Sequence, residues 1–417
     1  MANPRVVIIG AGPAGLVTAL TLKREGYQTE IFEKKPFDQL CKDVGGAYYL
    51  HGNVVQVLAH LGLLEQVKNF DGRIKGFTFV KSGGFVTKSY KFPENSSMYS
   101  IRRSELQRIL LNEIDRDSLR CDTSVQEIKL SKKKEGKQKI TLENGEVLKC
   151  DIVVGADGIR SSLLKAITSD ESKLKTNFHN AISYWGFYRC DPELAKESLK
   201  KLEPGVVLSF KVPGTVIGFG LKSNGEGIWA MMKQVTDVNY ERDTPVDQLK
   251  QIVKNIVKEQ IKSKFAANFI EITNPEDIGC TYLWDRDPLP VWWKGNGILI
   301  GDAAHPMTPF IGQGANSAII DGVVLGTFLA RKFKEGSTDY ADAFTKFQQL
   351  RAHITNDNII ASRKAGEFVL AEGSVKNWFY HTLMGALPQG VFSSMTLAAD
   401  KPNAACLEAV GITPVTY

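Results

Sequence analysis

The feature that most constrains the fold of this chain is a glycine-rich pattern near its start, Gly10-Ala11-Gly12-Pro13-Ala14-Gly15. A short run of mostly β-branched apolar residues (5–9) precedes it, helical periodicity (14–25) follows it, and a second strand-like run (28–32) comes next. Continuous apolar runs of this length are typical of strands buried on both faces of a parallel sheet. The sequence therefore predicts a βαβ unit that opens a Rossmann-like α/β domain.

Each glycine of this pattern has its own predicted task. Gly10 makes the tight turn, Gly12 lets the backbone approach a pyrophosphate, and Gly15 lets helix and strand pack closely. Ala14 lies in the same loop, where the first turn of the helix offers free N–H groups to phosphate oxygens. Glu33, 23 residues after Gly10, is placed to accept hydrogen bonds from an adenosine ribose. These residues predict a dinucleotide site.

The middle of the chain changes from mixed α/β to strand-rich sequence. Two alternating runs (74–80 and 85–92) predict a hairpin around Gly83-Gly84, and a helix (105–114) is expected with Ser104 as its N-cap. Further strands (124–130, 139–142, 147–154) lead into Gly155-Ala156-Asp157-Gly158. The aromatic-rich part from residue 173 to 233 predicts an antiparallel sheet with one face open to a ligand.

Strand alternation allows only about half of the aromatic residues of this sheet to face a ligand, and the others to form core. We select Tyr184, Phe219 and Met231 as candidate substrate contacts. A lysine-rich helix (246–265) and a strand (279–283) follow. The last fifty residues are expected to be helical with a break at Pro388, and Trp378, Phe379 and Leu383 are expected to pack inside rather than touch a membrane.

Length and composition exclude several classes of protein. A chain of 417 residues with 43% hydrophobic and 24% charged residues predicts a globular protein of two or three structural units. No apolar run reaches the roughly 18 residues that span a bilayer, and a secretory signal is not expected before the first strand. The net charge of +6 is dispersed, and its densest run (131–137) is interpreted as a hairpin turn rather than a nucleic-acid patch. Six scattered cysteines predict reduced thiols in the cytoplasm and no metal site.

A third pattern, Gly301-Asp302-Ala303-Ala304-His305-Pro306, follows an apolar strand-like run (297–300). With Trp284-Asp285-Arg286-Asp287-Pro288 before it, and Pro309 to Asn316 and Asp321 after it, this stretch resembles the third fingerprint of class A flavoprotein monooxygenases, the family of para-hydroxybenzoate hydroxylase. The three patterns occur in the family order from residue 10 to 321. The stretch 45–51 also resembles the tetracycline-inactivating monooxygenases.

The resemblance implies FAD as cofactor and assigns residues to it. Asp302 would bind the ribityl hydroxyls, and Pro309, Gly312, Gly314, Ala315 and Asn316 would run beside the isoalloxazine. A helix that starts near Asn316 would direct its positive end at the flavin. Arg103 matches a family arginine beside the FAD, and Lys42 lies where many relatives have another arginine.

The middle motif of the family, here Asp157 and Gly158, serves both FAD and the reduced nicotinamide. This chain departs from the family pattern at Leu164, where an arginine is usual, with Lys165 next to it. The choice between NADH and NADPH therefore stays open.

The resemblance also implies a division of the chain. Residues 1–75, 100–172 and 275–365 would form the FAD-binding domain, residues 76–99 and 173–274 the substrate-binding domain, and residues 366–417 the C-terminal helices. His305 and His51 are interpreted as structural histidines. Asp285 and Asp287 are expected to brace the third motif rather than act as acid and base, and no residue is assigned a catalytic role.

The activity implied is that of an NAD(P)H-consuming hydroxylase. Such an enzyme inserts one oxygen atom from O2, through a flavin C4a-hydroperoxide, into an aromatic or polycyclic small molecule. A reductase, a dehydrogenase or another flavin oxidoreductase of the same fold is the alternative, because one fold hosts many chemistries. A halogenase would carry a Trp-x-Trp-x-Ile-Pro element, which this sequence lacks. A scaffold or sensor that holds FAD without turnover is the third possibility.

Overall fold

The structure is a computed structural model. It describes residues 3–42, 45–70, 72–133, 136–190, 203–236 and 244–414. The strands among these residues are β1 Val6–Ile9, β2 Thr29–Phe32, β3 Ala47–Leu50, β4 Gly76–Val80, β5 Val86–Lys91, β6 Tyr99–Arg102, β7 Leu119–Arg120, β8 Val125–Lys129, β9 Gln138–Leu142, β10 Val147–Cys150, β11 Ile152–Gly155, β12 Asn177–Arg189, β13 Val206–Val212, β14 Thr215–Leu221, β15 Glu226–Gln234, β16 Ile278–Asp285, β17 Trp293–Lys294 and β18 Gly297–Leu299.

Helices surround and connect these strands. The α-helices of the described residues are α1 Pro13–Arg24, α2 Gly52–His60, α3 Leu64–Lys68, α4 Arg103–Asn112, α5 Ser162–Ile167, α6 Val246–Ile256, α7 Lys264–Ile272, α8 Gly314–Lys334, α9 Ala341–Val369, α10 Ser374–Ala386, α11 Gln389–Leu397 and α12 Ala404–Glu408. In the described part of the chain, no helix is long and apolar enough to cross a membrane.

The first sheet carries the predicted Rossmann-like unit. Its strand order is β17-β18-β11-β1-β2-β7, and every pair is parallel except β17 with β18. The strands β1, β11 and β18 are buried throughout, as continuous apolar runs require. Helices α1 and α8 pack so closely that a Cβ on Gly322 would lie 2.8 Å from Val17. The βαβ prediction at the start of the chain is confirmed.

The second sheet has the order β16-β12-β15-β14-β13-β4-β5. All of its pairs are antiparallel except β4 with β13, so the antiparallel sheet predicted from residues 173–233 is confirmed, and β4 joins it as a parallel neighbour of β13. The residues between β4 and β13 run through the first sheet and its helices. Because no short turn joins the two strands, β13 can pair with β4 in parallel. Strand β16 also belongs to this sheet. In the structure the chain therefore returns to the first sheet after residue 285, whereas the predicted FAD-binding domain resumes at residue 275.

Two smaller sheets and the C-terminal helices complete the fold. Strands β3 and β6 form a two-stranded pair, and β8, β9 and β10 form a three-stranded one. The break at Pro388 is confirmed, since α10 ends at Ala386 and α11 begins at Gln389. Ser104 is not the N-cap of α4: the helix begins at Arg103, two residues before the predicted start, its N-cap is Arg102, and the Glu105 carboxylate accepts the Arg102 N–H at 3.0 Å.

Candidate active site

Three glycine-rich loops lie side by side at the carboxyl ends of β1, β11 and β18. Strand β11 pairs in parallel with β1 on one side and with β18 on the other, so the carboxyl ends of the three strands lie at the same edge of the sheet. A Cβ on Gly10 would lie 2.4 Å from the carbonyl oxygen of Ala156, so the first two loops touch through their backbones. A Cβ on Gly301 would lie 3.0 Å from the Cβ of Ala14, which joins the third loop to α1. Sequence positions that are far apart thus share one edge of the sheet, where ligands bind in open α/β folds.

The space in front of the N-terminus of α1 is open. A Cβ on Gly12 would meet no atom within 4 Å, whereas one on Gly15 would lie 2.1 Å from the carbonyl oxygen of Gly10. Ala14 and Gly15 are buried against the sheet. Gly12 is therefore the residue of this loop that borders free space, and the N–H groups of the first helical turn fit a pyrophosphate there.

Glu33 lies directly after β2 and borders the same loop. Its carboxylate accepts the N–H of Ala11 at 2.9 Å and the N–H of Lys35 at 3.0 Å. A carboxylate has about four acceptor positions, so two remain for ribose hydroxyls. The structure thus gives Glu33 a second task that the sequence did not predict, which is to hold the glycine-rich loop in place.

Asp302 and Arg103 supply opposite charges near this edge. Both side chains are exposed to solvent, and Asp302 makes no hydrogen bond to the described part of the chain. Burial of the surrounding loop raises the pKa of the Asp302 carboxyl, and the nearby His305 and Arg103 charges oppose that rise. Since solvent reaches this carboxylate, we expect it to be ionised at neutral pH. Its free acceptors fit a hydroxylated chain such as the ribityl group of FAD.

Two residues mark the departures from the family pattern. Lys42 is exposed and its ammonium lies 3.5 Å from the Asp38 carboxylate, in a surface turn where such a pair contributes little. Leu164 is buried in the core of the first unit, and Lys165 is exposed. A cofactor contact by Lys42 stays a prediction, and Leu164 has a packing role.

The middle motif contains unsatisfied polar atoms. One oxygen of Asp157 accepts the N–H and the hydroxyl of Ser162, both at 2.7 Å, while Oδ1 is buried and has no partner among the described residues. Gly158 has a φ of +78° and open space at its Cβ position. Arg286 is buried and donates to the Ile159 carbonyl, but its Nε and Nη1 have no partner in the same described ranges. These atoms fit a polar ligand that passes the middle motif.

Sequence reasoning missed Arg286 as a site residue. It lies in the Asp-Arg-Asp-Pro stretch before the third motif, and its charge there was the available signal. The neighbouring Asp285 is fully buried and accepts two hydrogen bonds from Arg363 of α9 at 2.7 and 2.8 Å. Burial alone would raise the pKa of Asp285, but hydrogen bonds from His179 and Arg363 outweigh it and lower that pKa. A bracing role therefore suits Asp285 better than acid–base work.

A buried ionic network holds the third motif from behind. Asp321 of α8 accepts the N–H of Gly301 at 2.8 Å, His305 Nε2 at 2.6 Å and Arg351 Nε at 2.7 Å. The side chains of Asp321, His305 and Arg351 have no exposed surface. Arg351 also donates to Asn403 Oδ1 at 2.5 Å, which ties the C-terminal segment into the network. His305 thus contacts a structural carboxylate, in agreement with the structural interpretation of that residue.

The loop after the third motif leads into α8. Pro309 opens a short 3-10 turn, Gly312 follows it with a φ of +65°, and Gly314 is the first residue of α8. The helix thus begins two residues before Asn316, close to the predicted start. Gly314 and Ala315 are half-buried, and a Cβ on Gly312 would lie 3.9 Å from the rings of both Tyr49 and His51, in ordinary contact. The positive end of α8 is therefore directed at β3 and its neighbours.

Asn316 uses its whole amide to join this loop to β3. Its oxygen accepts the N–H of His51 at 2.9 Å, and its nitrogen donates to the carbonyls of Tyr49 and Gly312, both at 2.7 Å. The side chain is buried. We therefore assign Asn316 a positioning role in place of the direct flavin contact that the resemblance implied.

Replacing Asn316 by alanine is expected to destabilise the apoprotein by about 2 kcal/mol, because one buried and two partly buried backbone groups lose their partner. Chemical denaturation of the FAD-free protein measures this change. Asn112→Ala, at an exposed position of α4, is the control and should stay within about 0.5 kcal/mol of wild type. Equal stability of all three proteins would contradict the positioning role.

The candidate substrate contacts lie on the wrong face of the second sheet. Tyr184, Phe219 and Met231 are buried in the core that this sheet forms with α6 and α7, and Phe219 lies 5.7 Å from the ring of Phe269. The prediction chose strands that do border the cavity, but in each strand it chose residues that point to the opposite face. Side chains alternate along a strand, so a choice that is off by one residue moves every contact to the opposite face.

The opposite face borders a cavity between the second sheet and β3. The cavity has about 550 Å³ of space not filled by atoms, part of it open solvent. The lining is mostly apolar, with a few charged groups. Arg102 stacks over the Phe187 ring at 4.2 Å, and the Lys222 ammonium lies 3.7 Å from Glu226. Such a mixture of apolar walls and a few polar groups is typical of small-molecule sites.

Tyr49 connects this cavity to the loop 309–316, which we call the flavin loop because the resemblance implies that it runs beside the flavin. It lines the cavity and also faces the Gly312 position. Burial raises the pKa of Tyr49 to about 12, so its phenol is protonated at neutral pH and can donate a hydrogen bond. Tyr49 therefore borders both the cavity and the loop that precedes α8.

Comparison with known proteins agrees with this geometry. The family model described as FAD binding domain matches residues 3–358. The chain is 28% identical over 350 residues to Monooxygenase 2 of Arabidopsis thaliana, an alignment that covers 80% of this chain and 79% of the relative.

Solved structures show the same fold. Klebsiella pneumoniae HpxO in complex with FAD and uric acid superposes with a TM-score of 0.80 at 20% identity, and the alignment covers 95% of this chain and 96% of HpxO. The tetracycline destructase Tet(51) superposes with a TM-score of 0.67 at 16% identity over the whole of both chains. The predicted Rossmann-like fold with an added sheet and C-terminal helices is confirmed.

Proposed function

Because this chain belongs to the FAD binding domain family, the class A flavoprotein monooxygenases, we propose that it hydroxylates an aromatic or polycyclic small molecule with O2 and NADH or NADPH. The observation that carries the proposal is the position of Tyr49, which borders both the cavity and the flavin loop. A molecule in this cavity would lie against the face of the site where the flavin ring is expected. HpxO and Tet(51), by their names, act on or bind ring compounds, which supports a substrate of this class.

The FAD contacts follow from the open positions of the cleft. We assign Gly12 and the first turn of α1 to the pyrophosphate, Glu33 to the adenosine ribose, and Asp302 to the ribityl chain. Arg103 would neutralise phosphate charge. Pro309, Gly312, Gly314 and Ala315 would run beside the flavin ring, and the N-terminus of α8 would favour negative charge there. We assign Asp157 and Gly158 to the polar part of FAD or of the nicotinamide cofactor.

Bound FAD would supply the oxidation–reduction chemistry, including the activation of O2. The protein has three tasks. The apolar walls of the cavity, among them Ile74, Val207 and Ile228, exclude water from the reacting atoms. Arg102, Lys222 and Glu226 orient polar substituents of the substrate. The protonated Tyr49 phenol offers a hydrogen bond at the boundary between the substrate and the loop 309–316.

The proposal is tested by a screen of phenols and fused-ring heteroaromatics for stimulation of NADH and NADPH oxidation, with mass spectrometry of the products. We expect at least one compound to accelerate oxidation and to gain one oxygen atom. Turnover that continues at full rate without O2 would instead identify a reductase or dehydrogenase. Tight FAD binding without reduction by either nicotinamide would identify a non-catalytic flavoprotein.

Gly220→Val is expected to raise the KM of the best compound by about tenfold or more while leaving FAD content unchanged. Gly220 lines the cavity, and a Cβ there would lie in ordinary contact with Ile228, 3.8 Å from its Cγ2. The Cβ is therefore tolerated by the strand, and we expect the valine methyl groups to occupy substrate space. Steady-state kinetics and the flavin absorbance measure the two effects. Phe219→Leu, on the opposite face, is the control: an equal rise in KM for this variant would contradict the assignment of the open face.

A further inference from the structure

The C-terminal helices α10 and α11 lie with one face on the second sheet. On the outer face of α10, Trp378 is 63% exposed, Phe379 54% and Leu383 42%, so the expectation that these three residues pack inside is wrong. On the inner face, Tyr380 is buried and its ring lies 6.5 Å from Phe79 of β4. The inner face therefore joins the C-terminal helices to the strands of the second sheet.

Phe392 of α11 contacts four other aromatic rings on this inner face. Its ring stacks on Tyr90, with 4.0 Å between the ring centroids, and lies 5.6 Å from Phe79. The same ring lies 6.2 Å from Phe77 and 6.4 Å from Phe92. We call these five residues the aromatic cluster: Phe77, Phe79, Tyr90, Phe92 and Phe392. Because aromatic rings at such distances attract one another, β4, β5 and α11 form one packed unit.

The aromatic cluster continues into the wall of the substrate cavity. Val207 lines the cavity and pairs in register with Phe77 across β13 and β4. Ile74 also lines the cavity, and it shares with Val207 one apolar core against which Phe392 packs. Tyr49, a third lining residue, lies edge-on to Phe77 at 6.2 Å. Phe392 therefore lies behind the apolar wall of the cavity.

Hydrogen bonds hold α11 in this position. The Gln389 side chain accepts the N–H of Lys91 at 3.2 Å, and the Ser393 hydroxyl donates to the Lys91 carbonyl at 3.3 Å. The Tyr90 hydroxyl of β5 donates to the Leu387 carbonyl, just before the helix, at 3.0 Å. These bonds fix α11 along β5, so the sheet determines the position of the Phe392 ring.

We propose that Phe392 is a positioning residue that limits the size of the substrate. It acts through the other rings of the aromatic cluster, which support the lining residues Tyr49, Ile74 and Val207. Apolar side chains move partly into the space that a truncated neighbour leaves, so loss of the Phe392 ring lets this wall move back and admits a larger molecule. The proposal rests on the proposed function for the use of the cavity as a substrate site, and it gives the C-terminal helices a role in specificity.

The test is the affinity of the FAD-loaded protein for phenol, 2-naphthol and anthracen-2-ol, measured by equilibrium dialysis. We expect Phe392→Ala to raise the affinity for anthracen-2-ol relative to phenol by at least about fivefold over the wild-type ratio, because the wall moves back. Phe392→Leu leaves a smaller space and should shift the ratio in the same direction by about twofold.

Phe265→Ala is the matched control. Phe265 is half-buried like Phe392 and also lies among aromatic rings, 4.7 Å from Phe269 and 6.3 Å from Phe219. Its partners belong to the core on the other face of the second sheet. This variant should lower thermal stability as Phe392→Ala does and should keep the wild-type affinity ratio. Flavin content and thermal melting show that the variants are folded.

An unchanged affinity ratio in the Phe392 variants, or an equal change in Phe265→Ala, overturns the proposal. So does the absence of binding of all three compounds to wild type and variants, because the cavity would then not hold ring compounds. An altered ratio in a protein that transfers no oxygen would refute the proposed function and leave the role of Phe392 intact. Normal oxygen transfer with an unchanged ratio would do the reverse.

Discussion

Gly12→Leu is expected to lower FAD affinity by at least about a hundredfold and to leave the apoprotein folded. A Cβ at this position meets no atom within 4 Å, and the Gly12 φ of −79° is accessible to any residue. The new side chain would instead fill the space in front of α1, where backbone N–H groups approach the pyrophosphate. Fluorescence titration of the apoprotein with FAD measures the affinity, and circular dichroism measures the fold.

Gly15→Leu is the matched comparison within the same loop. A Cβ at Gly15 would lie 2.1 Å from the Gly10 carbonyl oxygen, so this variant should fail to fold normally. The two substitutions thus distinguish a position that borders the expected ligand from a position, three residues later, that is needed for packing. A Gly12→Leu protein that binds FAD like wild type would contradict the pyrophosphate assignment.

Asp321→Ala is expected to lower the free energy of unfolding by about 3–5 kcal/mol. The substitution leaves the buried Arg351 charge without its carboxylate, and breaking a buried ion pair from one side costs about this much. It also removes the acceptor of the Gly301 N–H and of His305, so the third motif loses its support. Denaturant unfolding of the apoprotein measures the loss.

Asp302→Ala, in the same motif, is the control for this variant. Asp302 is exposed and makes no hydrogen bond to the described residues, so its loss should change apoprotein stability by about 0.5 kcal/mol or less while weakening FAD binding. If Asp302→Ala destabilised the apoprotein as much as Asp321→Ala, the division into a supporting and a ligand-facing carboxylate would be wrong.

The network also predicts a pH dependence. Burial alone would raise the pKa of Asp321, but His305 and Arg351 outweigh it and lower that pKa below the usual value. The stabilisation is therefore fully present above the pKa of the unfolded chain, about 4, and is lost as pH falls through the lower folded value. Urea unfolding between pH 7 and 3 should show a smaller acid loss in Asp321→Ala than in wild type. Parallel profiles would contradict the assignment.

The sequence predicted those parts of the site that depend on neighbouring residues. Gly10, Gly12 and Gly15 are three positions of one loop, and their spacing states the geometry of the turn and helix. The place of Asp302, soon after a buried strand, could likewise be predicted from neighbouring residues. The position of α8 could be predicted within two residues, because a glycine-rich loop followed by apolar periodicity indicates a helix start.

Long-range partners could not be predicted in this way. Arg351 lies 30 residues after Asp321 in a helix of ordinary periodicity, and nothing local shows that the two meet. Asn316 was expected at the flavin because it lies in the motif, whereas its amide is used by backbone groups of β3, more than 260 residues away. Single-sequence patterns describe which residue types share an element but not which elements pack together.

The error at Tyr184 and Phe219 has a similar origin. The strands of the second sheet are apolar on both faces, so alternation alone does not say which face is core. The position of α6 and α7 decides this, and those helices lie after the strands β12 to β15 that carry the selected residues. The parity of every substrate contact depends on that packing.

The central claim is that two places form one site for oxygen transfer: the cavity beside the second sheet, and the cleft at the carboxyl ends of β1, β11 and β18 where FAD is proposed to bind. Its most direct test is turnover of the best compound under isotopically heavy O2, with mass spectrometry of the product. The account predicts that the product gains one heavy oxygen atom and that turnover stops without O2. A product without the heavy isotope, or turnover that continues without O2, would contradict it.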